Sequence, residues 1–209
     1  MKDGEGRVTI PGFYDDVTPL SASETLALKA IPDIEPDLKK ELGILETEGN
    51  GRTFAELLHL PTLNINGIQS ANVGSMAANI IPSRADAVID LRLVLGNDVN
   101  RQVGKVEEFI RSKGYHIIDH EPTDEERKNH SRIIRIVREK GYNAQRTPMD
   151  LPIAKRILRT VQNSTSQGVV ALPSAGGSLP LIVFEEVLKA RVITVPVVNY
   201  DNNQHAENE

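Results

Sequence analysis

Three short stretches of this sequence hold residue types that bind anions or metal ions. They are Ser-Ala-Gly-Gly-Ser-Leu-Pro at 174–180, the run 79–93, and the acidic and asparagine-rich stretch 201–209. The candidate binding residues within them are Asn79, Arg92, Gly176, Gly177, Ser178 and His205. Each stretch also has a purely structural interpretation, which stands beside the chemical one.

The glycine pair lies between an apolar run and a predicted helix that begins near Leu179. Backbone N–H groups at a helix N-terminus bind anions, and glycine lets a ligand come close to the backbone. Ser178 is predicted as the N-cap of this helix. The pattern favours either an anion-binding loop or an ordinary glycine-rich turn with a serine cap. The lysine of a phosphate loop and the glycine fingerprint of a dinucleotide site are both absent from it.

Arg92 is predicted on the polar face of a long strand, and Asn79 precedes the Ile-Ile-Pro turn that leads into that strand. A guanidinium group forms two parallel hydrogen bonds with a carboxylate, so Arg92 is a candidate for binding an acid group. The alternative is a solvated strand face on which Asp90 is simply a charged neighbour.

His205 follows the apolar run 192–198, which is predicted as a strand, and α/β proteins place ligand sites beyond strand ends. Imidazole is a common zinc ligand, with Asp or Glu as its usual co-ligands. No His-x-Asp or His-Glu-x-x-His pair occurs in the sequence to complete such a site. His116 and His120 share a face of another predicted strand, where they are either a surface metal site or free surface histidines.

Composition excludes several classes of protein. The net charge of -5 and the lack of a basic stripe argue against nucleic acid as a partner. No apolar stretch reaches the roughly 18 residues of a membrane helix, so we expect no membrane partner. The sequence has no cysteine, which excludes disulfides and thiolate metal sites but fits cytoplasm and periplasm alike. The first ten residues lack the apolar core of a signal peptide, which favours the cytoplasm over the periplasm but leaves the compartment open.

Periodicity predicts an α/β protein with two different regions. Residues 60–122 show the order β-β-α-β, in which one helix crosses a small antiparallel sheet as in a ferredoxin-like layer. Residues 151–200 show α-β-α-β, typical of an α/β layer, with strands at 168–174 and 191–200. The charged run 123–130 is the predicted boundary. Further helices are predicted at 21–30, at 31–44, at 54–60 and at 131–141, the first with a capping box of Ser21 and Glu24.

Taken in order, several motifs resemble one family of enzymes. They are Gly-Arg-Val-Thr-Ile-Pro-Gly-Phe-Tyr-Asp-Asp-Val at 6–17, Leu-Pro-Thr-Leu-Asn-Ile-Asn-Gly-Ile at 60–68, the stretches 79–94 and 175–188, and His-Ala-Glu-Asn-Glu at 205–209. Their order and spacing resemble the C-terminal part of the dimeric di-zinc metallopeptidases related to carnosinase, aminoacylase, carboxypeptidase G and succinyl-diaminopimelate desuccinylase. The likeness covers nearly the whole chain.

The resemblance implies a zinc-peptidase catalytic domain of α/β fold that is interrupted by a smaller lid, or dimerisation, domain. Residues 1–122 would form the α+β lid, incomplete at its N-terminus, and residues 130–209 the C-terminal segment of the catalytic domain. We therefore expect a homodimer that pairs through the lid.

The resemblance also implies roles for the candidate residues. His205 would be a zinc ligand, and Asn79 would reach the active site of the neighbouring subunit. The group that holds the carboxylate of the substrate would be Arg92, Gly176, Gly177 and Ser178. Ser174 and Ala175 depart from the residues that commonly precede the glycines in the dipeptidase branch of the family.

The implied reaction is hydrolysis of the amide bond of a dipeptide or an N-acyl amino acid, assisted by two zinc ions. The other metal ligands of the family, its glutamate base and its lid histidine have no counterpart in this sequence. We therefore expect this chain alone to be inactive. Two alternatives from other classes are a non-catalytic dimerisation or binding module with a vestigial carboxylate loop, and a ferredoxin-like regulatory domain for a small molecule.

Overall fold

The computed structural model describes residues 1–177 and 179–196. Its helices are α1 (Ala22–Lys29), α2 (Glu35–Leu42), α3 (Phe54–Leu57), α4 (Val99–Ser112), α5 (Asp124–Asn129), α6 (Pro152–Asn163) and α7 (Ile182–Leu188), with a short 3-10 turn at Gly74–Met76. Its strands are β1 (Thr62–Ser70), β2 (Ala85–Arg92), β3 (His116–Ile118) and β4 (Ile133–Arg135). Within these residues, no helix has the length and apolarity needed to cross a membrane.

The start of α1 confirms the predicted capping box. The Glu24 backbone N–H donates to Ser21 Oγ at 3.3 Å, and the Ser21 N–H donates to Glu24 Oε2 at 2.7 Å. The pair satisfies two donors that a helix N-terminus otherwise leaves without partners. The start of this helix is thus fixed by residues within one turn.

The apolar face of α4 organises the core. Val106 and Ile110 on this face are buried with four residues from two other segments, namely Val8, Ile10, Phe13 and Leu63. Val106 and Ile110 recur at helical spacing, so a single face of α4 carries them. The N-terminal segment, which forms no helix, is therefore part of the core.

Polar contacts hold the same N-terminal segment against α4. The side chain of Gln102 is fully buried and donates to the Phe13 carbonyl at 2.8 Å. Lys105 Nζ donates to the Gly12 carbonyl at 2.7 Å and pairs with Asp16 at 2.6 Å. These bonds occupy carbonyl groups that the turn at 11–14 exposes, so the turn and the helix stabilise each other.

The strands form two separate sheets. β1 pairs with β2 in antiparallel register, with a bulge between Ile65 and Gly67, whereas β3 pairs with β4 in parallel register. Within the described residues, the single sheet expected for 60–122 is therefore divided, although Leu91 of β2 and Ile117 of β3 pack against the same core.

The prediction of a helix at 131–141 is wrong. Ile133–Arg135 form β4, and its ladder begins with the His116 N–H donating to the Arg132 carbonyl at 2.8 Å. The run Ile133, Ile134, Ile136 and Val137 is β-branched, which favours a strand once a partner edge is available. Ile134 and Ile136 pack on the α4 core, so the residues directly after the charged run 123–130 belong to that core.

Within the described residues, the C-terminal region contains the two predicted helices but no strand at 168–174 or 191–196, while the remainder of the second predicted strand, 197–200, lies outside them. α6 and α7 occupy 152–163 and 182–188, while the apolar runs 168–173 and 191–196 join no ladder with any described residue. Val170, Leu172 and Val195 remain substantially exposed. A strand needs a neighbouring edge, and the described part of the chain does not supply one here.

A buried ion pair joins the C-terminal half of the chain to its N-terminal half. Arg146 Nε lies 3.0 Å from Glu24 Oε1, and the two side chains are 6% and 5% exposed. The Nη2 group of Arg146 also donates to the carbonyls of Thr18 at 3.2 Å and Pro19 at 2.9 Å. One guanidinium thus fixes the position of the chain at 146 relative to α1.

We expect Arg146→Met to lower the free energy of unfolding by about 3–5 kcal/mol, because it leaves the Glu24 carboxylate buried and unpaired. Urea denaturation measures this loss. Arg101→Met is the matched control, since Arg101 forms a largely exposed pair with Asp16 and should matter far less. Equal losses in the two variants would contradict this role for Arg146.

Candidate functional site

A large cleft separates β2 and α4 from the C-terminal half of the chain. Its volume is about 1900 Å³, and its walls are β2, the apolar face of α4, residues 133–142, α6 and the runs 169–177 and 192–196. Arg92 and the glycines 176 and 177 all lie on these walls. The structure therefore brings Arg92 to the same cleft as the glycine loop, although they come from distant parts of the sequence.

Arg92 is the last residue of β2 and is held by its neighbour on the same face. Its Nε donates to Asp90 Oδ2 at 2.6 Å, and its side chain is 51% exposed. Residues two apart on a strand share a face, so the alternation predicted from the sequence places this carboxylate beside the guanidinium. The ion pair orients Arg92 at the rim of the cleft.

Gly176 is in close contact with the opposite wall. A Cβ at this position would meet Leu58 Cδ2 at 3.0 Å, whereas a Cβ at Gly177 would meet nothing within 4 Å. Gly176 therefore allows close packing of the loop on Leu58, whereas the space beside Gly177 is empty of other protein atoms. Ser178, the third predicted member of this loop, lies outside the described residues.

The helix after the loop begins later than predicted. α7 starts at Ile182 with Leu181 at its N-cap position, and no side chain caps it. Pro180 precedes this start, and its carbonyl accepts the Val183 N–H at 3.2 Å in the first turn. The prediction that the helix begins near Leu179 is therefore wrong, and the amides of its first turn lie beyond the glycine pair.

Asn79 lies apart from the cleft. It belongs to the fully exposed connection 71–84 between β1 and β2, and it is not among the residues that line the cleft. Its exposure leaves it accessible to another molecule.

The predicted zinc ligand, His205, lies outside the described residues. Over 1–177 and 179–196, no group of three or more His, Asp or Glu side chains has an arrangement that suits a metal ion. The alternative metal site at His116 and His120 is therefore not supported.

The histidines near β3 form a cluster with α5 instead. Glu126 accepts hydrogen bonds from the Thr123 N–H at 2.8 Å and from its hydroxyl at 2.9 Å, and His120 Nε2 lies 3.1 Å from its Oε1. The rings of His116 and His130 stack in parallel with centroids 3.7 Å apart. These contacts connect β3 to both ends of α5.

Two pKa values in this cluster depart from their ordinary values. The hydrogen bond to Asp119, and then the one to Glu126, raises the pKa of His120. Hydrogen bonds from the backbone and hydroxyl of Thr123 lower the pKa of Glu126 to about 2. The cluster is thus an ion-paired loop rather than a metal centre.

Sequence reasoning missed a charged pair that lines the cleft. Arg138 Nε donates to Glu107 Oε1 at 2.7 Å, and this bond is the main reason why the pKa of Glu107 is lowered. Glu107 lies on α4 and its side chain is only 10% exposed. No local sequence pattern indicates this pair, because Glu107 and Arg138 are 31 residues apart and come together only through tertiary packing.

Comparison with known proteins agrees with this architecture. Residues 23–117 match the profile of the M20 peptidase dimerisation domain. The chain is 26% identical to human Beta-Ala-His dipeptidase over 220 aligned residues, which cover 100% of this chain and 39% of that protein. It is also 26% identical to the Cys-Gly metallodipeptidase dug1 of Schizosaccharomyces pombe, over 98% of this chain and 41% of that protein.

Solved structures show the same relationship. The M20 family metallo-carboxypeptidase Sso-CP2 from Sulfolobus solfataricus superimposes with a TM-score of 0.70 at 26% identity, over 91% of this chain and 40% of that chain. Human carnosine dipeptidase 1 superimposes with the same TM-score at 19% identity, which shows a common fold.

The sequence and fold together place residues 23–117 in the M20 peptidase dimerisation domain. Over nearly its whole length the chain is similar to metallopeptidases, among them an M20 family metallo-carboxypeptidase. It spans about two fifths of the length of the curated relatives it matches.

The His120 cluster gives a prediction for pH dependence. Since its pKa is raised on folding, His120 stabilises the fold below its ordinary value of 6.5, and this contribution is lost as the pH rises through the folded-state value. In an NMR titration, Asp119→Asn should lower the pKa of His120 without disturbing the Thr123 cap of α5. An unchanged His120 titration in that variant would rule out the Asp119 contact as the cause.

The glycine loop gives a second prediction. Gly176→Ala should lower the free energy of unfolding by about 1 kcal/mol, because the new methyl group crowds Leu58. Gly177→Ala, whose methyl group meets nothing, is the matched control and should leave the urea midpoint unchanged. If both variants lose the same stability, crowding of Leu58 is not the cause of the loss at position 176.

Proposed function

We propose that this chain supplies the dimerisation domain and the C-terminal part of the catalytic domain of a zinc-dependent metallopeptidase. The substrate would be a dipeptide or an N-acyl amino acid, cleaved at its amide bond. The single observation that carries the proposal is the shared cleft, in which Arg92 faces the same space as Gly176 and Gly177.

The contribution of these residues is recognition of the substrate's carboxylate. Arg92 carries a planar guanidinium group on the wall of the cleft, and its Nε is bonded to Asp90. Gly177 leaves the backbone open, so that a carboxylate approaches the loop without a steric barrier. Ser178, by resemblance, would add a hydroxyl group to the same loop. These groups together would orient the acid end of the substrate.

The zinc centre would need residues beyond those described. The described residues contain no metal-binding group, and the resemblance gives this chain one ligand, His205. One histidine does not hold two zinc ions, because a catalytic zinc site takes about three protein ligands. The remaining ligands and the base would therefore come from additional polypeptide of the M20 fold.

The names of the relatives support the substrate class. One relative is a Beta-Ala-His dipeptidase and another a Cys-Gly metallodipeptidase. Both names describe short substrates with a free carboxylate, which is the group that an arginine fork recognises.

The dimerisation domain supports a homodimer. The match to that domain runs from α1 through α2, α3, β1, β2 and α4 to the start of β3. Asn79 projects from the exposed connection between β1 and β2, which is a suitable position for reaching a second subunit. In this proposal, Asn79 completes the partner's site rather than its own.

A non-catalytic dimerisation module is the second candidate. It is favoured by the absence of a metal-binding group from the described residues. In that case the cleft would bind a carboxylate without hydrolysing an amide bond.

We expect the purified 209-residue chain to show no hydrolysis of Beta-Ala-His or Cys-Gly with added zinc, and a metal content well below two ions per chain. Mass spectrometry of the bound metal and release of free amino acid measure the two quantities. Hydrolysis by this chain alone, with two bound zinc ions, would contradict the proposal that most metal ligands and the base come from additional polypeptide.

Arg92→Ala tests carboxylate recognition in a polypeptide that also carries the rest of the catalytic domain. We expect kcat/KM to fall by about 10- to 100-fold, since a charge-assisted hydrogen bond contributes roughly 1.5–3 kcal/mol. Arg101→Ala is the control, because Arg101 also pairs with a carboxylate, that of Asp16, and is not among the residues that line the cleft. The carboxylate role is wrong if both variants lose activity equally, or if neither does.

A further inference from the structure

His59 is a buried histidine to which the proposed function gives no role. It follows α3 and is 6% exposed. Its Nδ1 lies 2.9 Å from the Ala55 carbonyl oxygen, and because a carbonyl only accepts hydrogen bonds, we assign the ring proton to Nδ1. Nε2 is then an unprotonated acceptor, and it is buried without a hydrogen-bond partner among the described residues. These surroundings suit a neutral imidazole ring.

Two buried charges act on this ring. Within the described residues they are those of Arg146 and Glu24, the ion pair that joins the two halves of the chain. The two charged groups are 3.0 Å apart, but the buried Arg146 Nε–H makes no hydrogen bond within the described residues. The pair therefore depends on the attraction of opposite charges, and a better-placed donor would compete for the same carboxylate.

Two further charged groups share a small cavity with His59. Arg52 and Glu56 line it together with residues 17–20, and its volume is about 210 Å³. Both side chains are exposed, so water and salt screen their charges. The buried pair therefore has the stronger influence on whether His59 is charged.

The surroundings of His59 oppose its protonation. Burial lowers the pKa of His59, the hydrogen bond to Ala55 opposes this effect, and the charge of Arg146 lowers the pKa further. Because the folded-state value lies below the ordinary 6.5, His59 stabilises the fold above pH 6.5. That contribution is lost as the pH falls through the folded-state value, which is the opposite of the behaviour of His120.

The position of Arg146 matters for the cleft. Arg146 and Thr147 both line the cleft, and the Thr147 hydroxyl donates to the Val192 carbonyl at 2.6 Å. Leu58, the residue before the buried histidine, is the one on which Gly176 packs. Two attachments of the C-terminal region to the dimerisation domain therefore lie at or next to the buried charges.

We propose that Glu24, Arg146 and His59 form an acid-sensitive latch between the dimerisation domain and the C-terminal part of the chain. A proton on Nε2 turns His59 into a donor, which competes with Arg146 for the Glu24 carboxylate. The cluster then holds two positive charges and one negative charge, so the Arg146 guanidinium leaves it and the adjoining wall of the cleft loosens. The latch does not rest on the proposed function, since neither a substrate nor a metal ion takes part.

NMR spectroscopy of the full 209-residue chain between about pH 7.5 and about pH 5 tests the latch. The buried Arg146 Nε–H signal should weaken about fivefold as the His59 ring titrates, while the amide signals of α4 remain. His59→Asn keeps a donor for the Ala55 carbonyl but does not titrate, so the Arg146 signal should persist in acid. His120→Asn is the matched control at a histidine whose side chain is 52% exposed, and it should lose the signal as the unchanged chain does.

Arg146→Met separates the latch from the simple burial of a histidine. Without Arg146, a protonated His59 would neutralise Glu24, so acid should increase the urea midpoint of Arg146→Met relative to that of Arg146→Met/His59→Asn. In the chain that keeps Arg146, the corresponding difference between the unchanged protein and His59→Asn should decrease in acid. This double-mutant comparison isolates the coupling between the two side chains.

Three results would overturn the proposal. They are an Arg146 signal that persists in acid in the unchanged chain, an equal loss of that signal in His59→Asn, and a His59-dependent midpoint that decreases in acid with and without Arg146. Should His59→Asn not fold, titration of the His59 ring in the unchanged chain decides. A ring that titrates at or above 6.5 contradicts the latch, and one that titrates lower, together with loss of the Arg146 signal, supports it.

Discussion

The apolar face of α4 is the constraint on which the rest of the structure depends. It holds the N-terminal segment through Phe13 and carries both small sheets through the core around Val106 and Ile110. Because one helix face serves all these segments, they are fixed relative to one another without a continuous sheet. The position of β2, and with it the position of Arg92, follows from this packing.

Buried polar contacts extend this order to the second half of the chain. Arg146 reaches Glu24 and two carbonyls near it, and Arg138 reaches Glu107 on α4. Loss of Arg146 would leave the buried Glu24 carboxylate without a charged partner, whereas Glu107 would keep a longer contact with Arg111 at 3.5 Å. These contacts tie the C-terminal half of the chain to the helices whose side of the cleft also carries Arg92.

Local signals in the sequence were reliable where the interaction partners are close along the chain. The capping box of Ser21 and Glu24 and the amphipathic pattern of α4 both depend on residues within one or two turns, and both are confirmed. The helix predicted at 131–141 was wrong because its β-branched residues pair with β3, whose edge no local pattern reveals. The strands predicted at 168–174 and 191–200 likewise form no ladder within the described residues, since their partners would have to come from elsewhere.

By itself, the sequence determined the likeness of this chain to a family of peptidases, the types of its candidate residues and the capped start of α1. These properties depend on the order of motifs and on short-range chemistry. Only the tertiary structure decided that Arg92 shares a cleft with Gly176 and Gly177, that Asn79 stands apart from it, and that the layer over α4 is divided. The physical reason is that long-range packing and strand pairing depend on which distant edges meet, and spacing along the chain does not encode that directly.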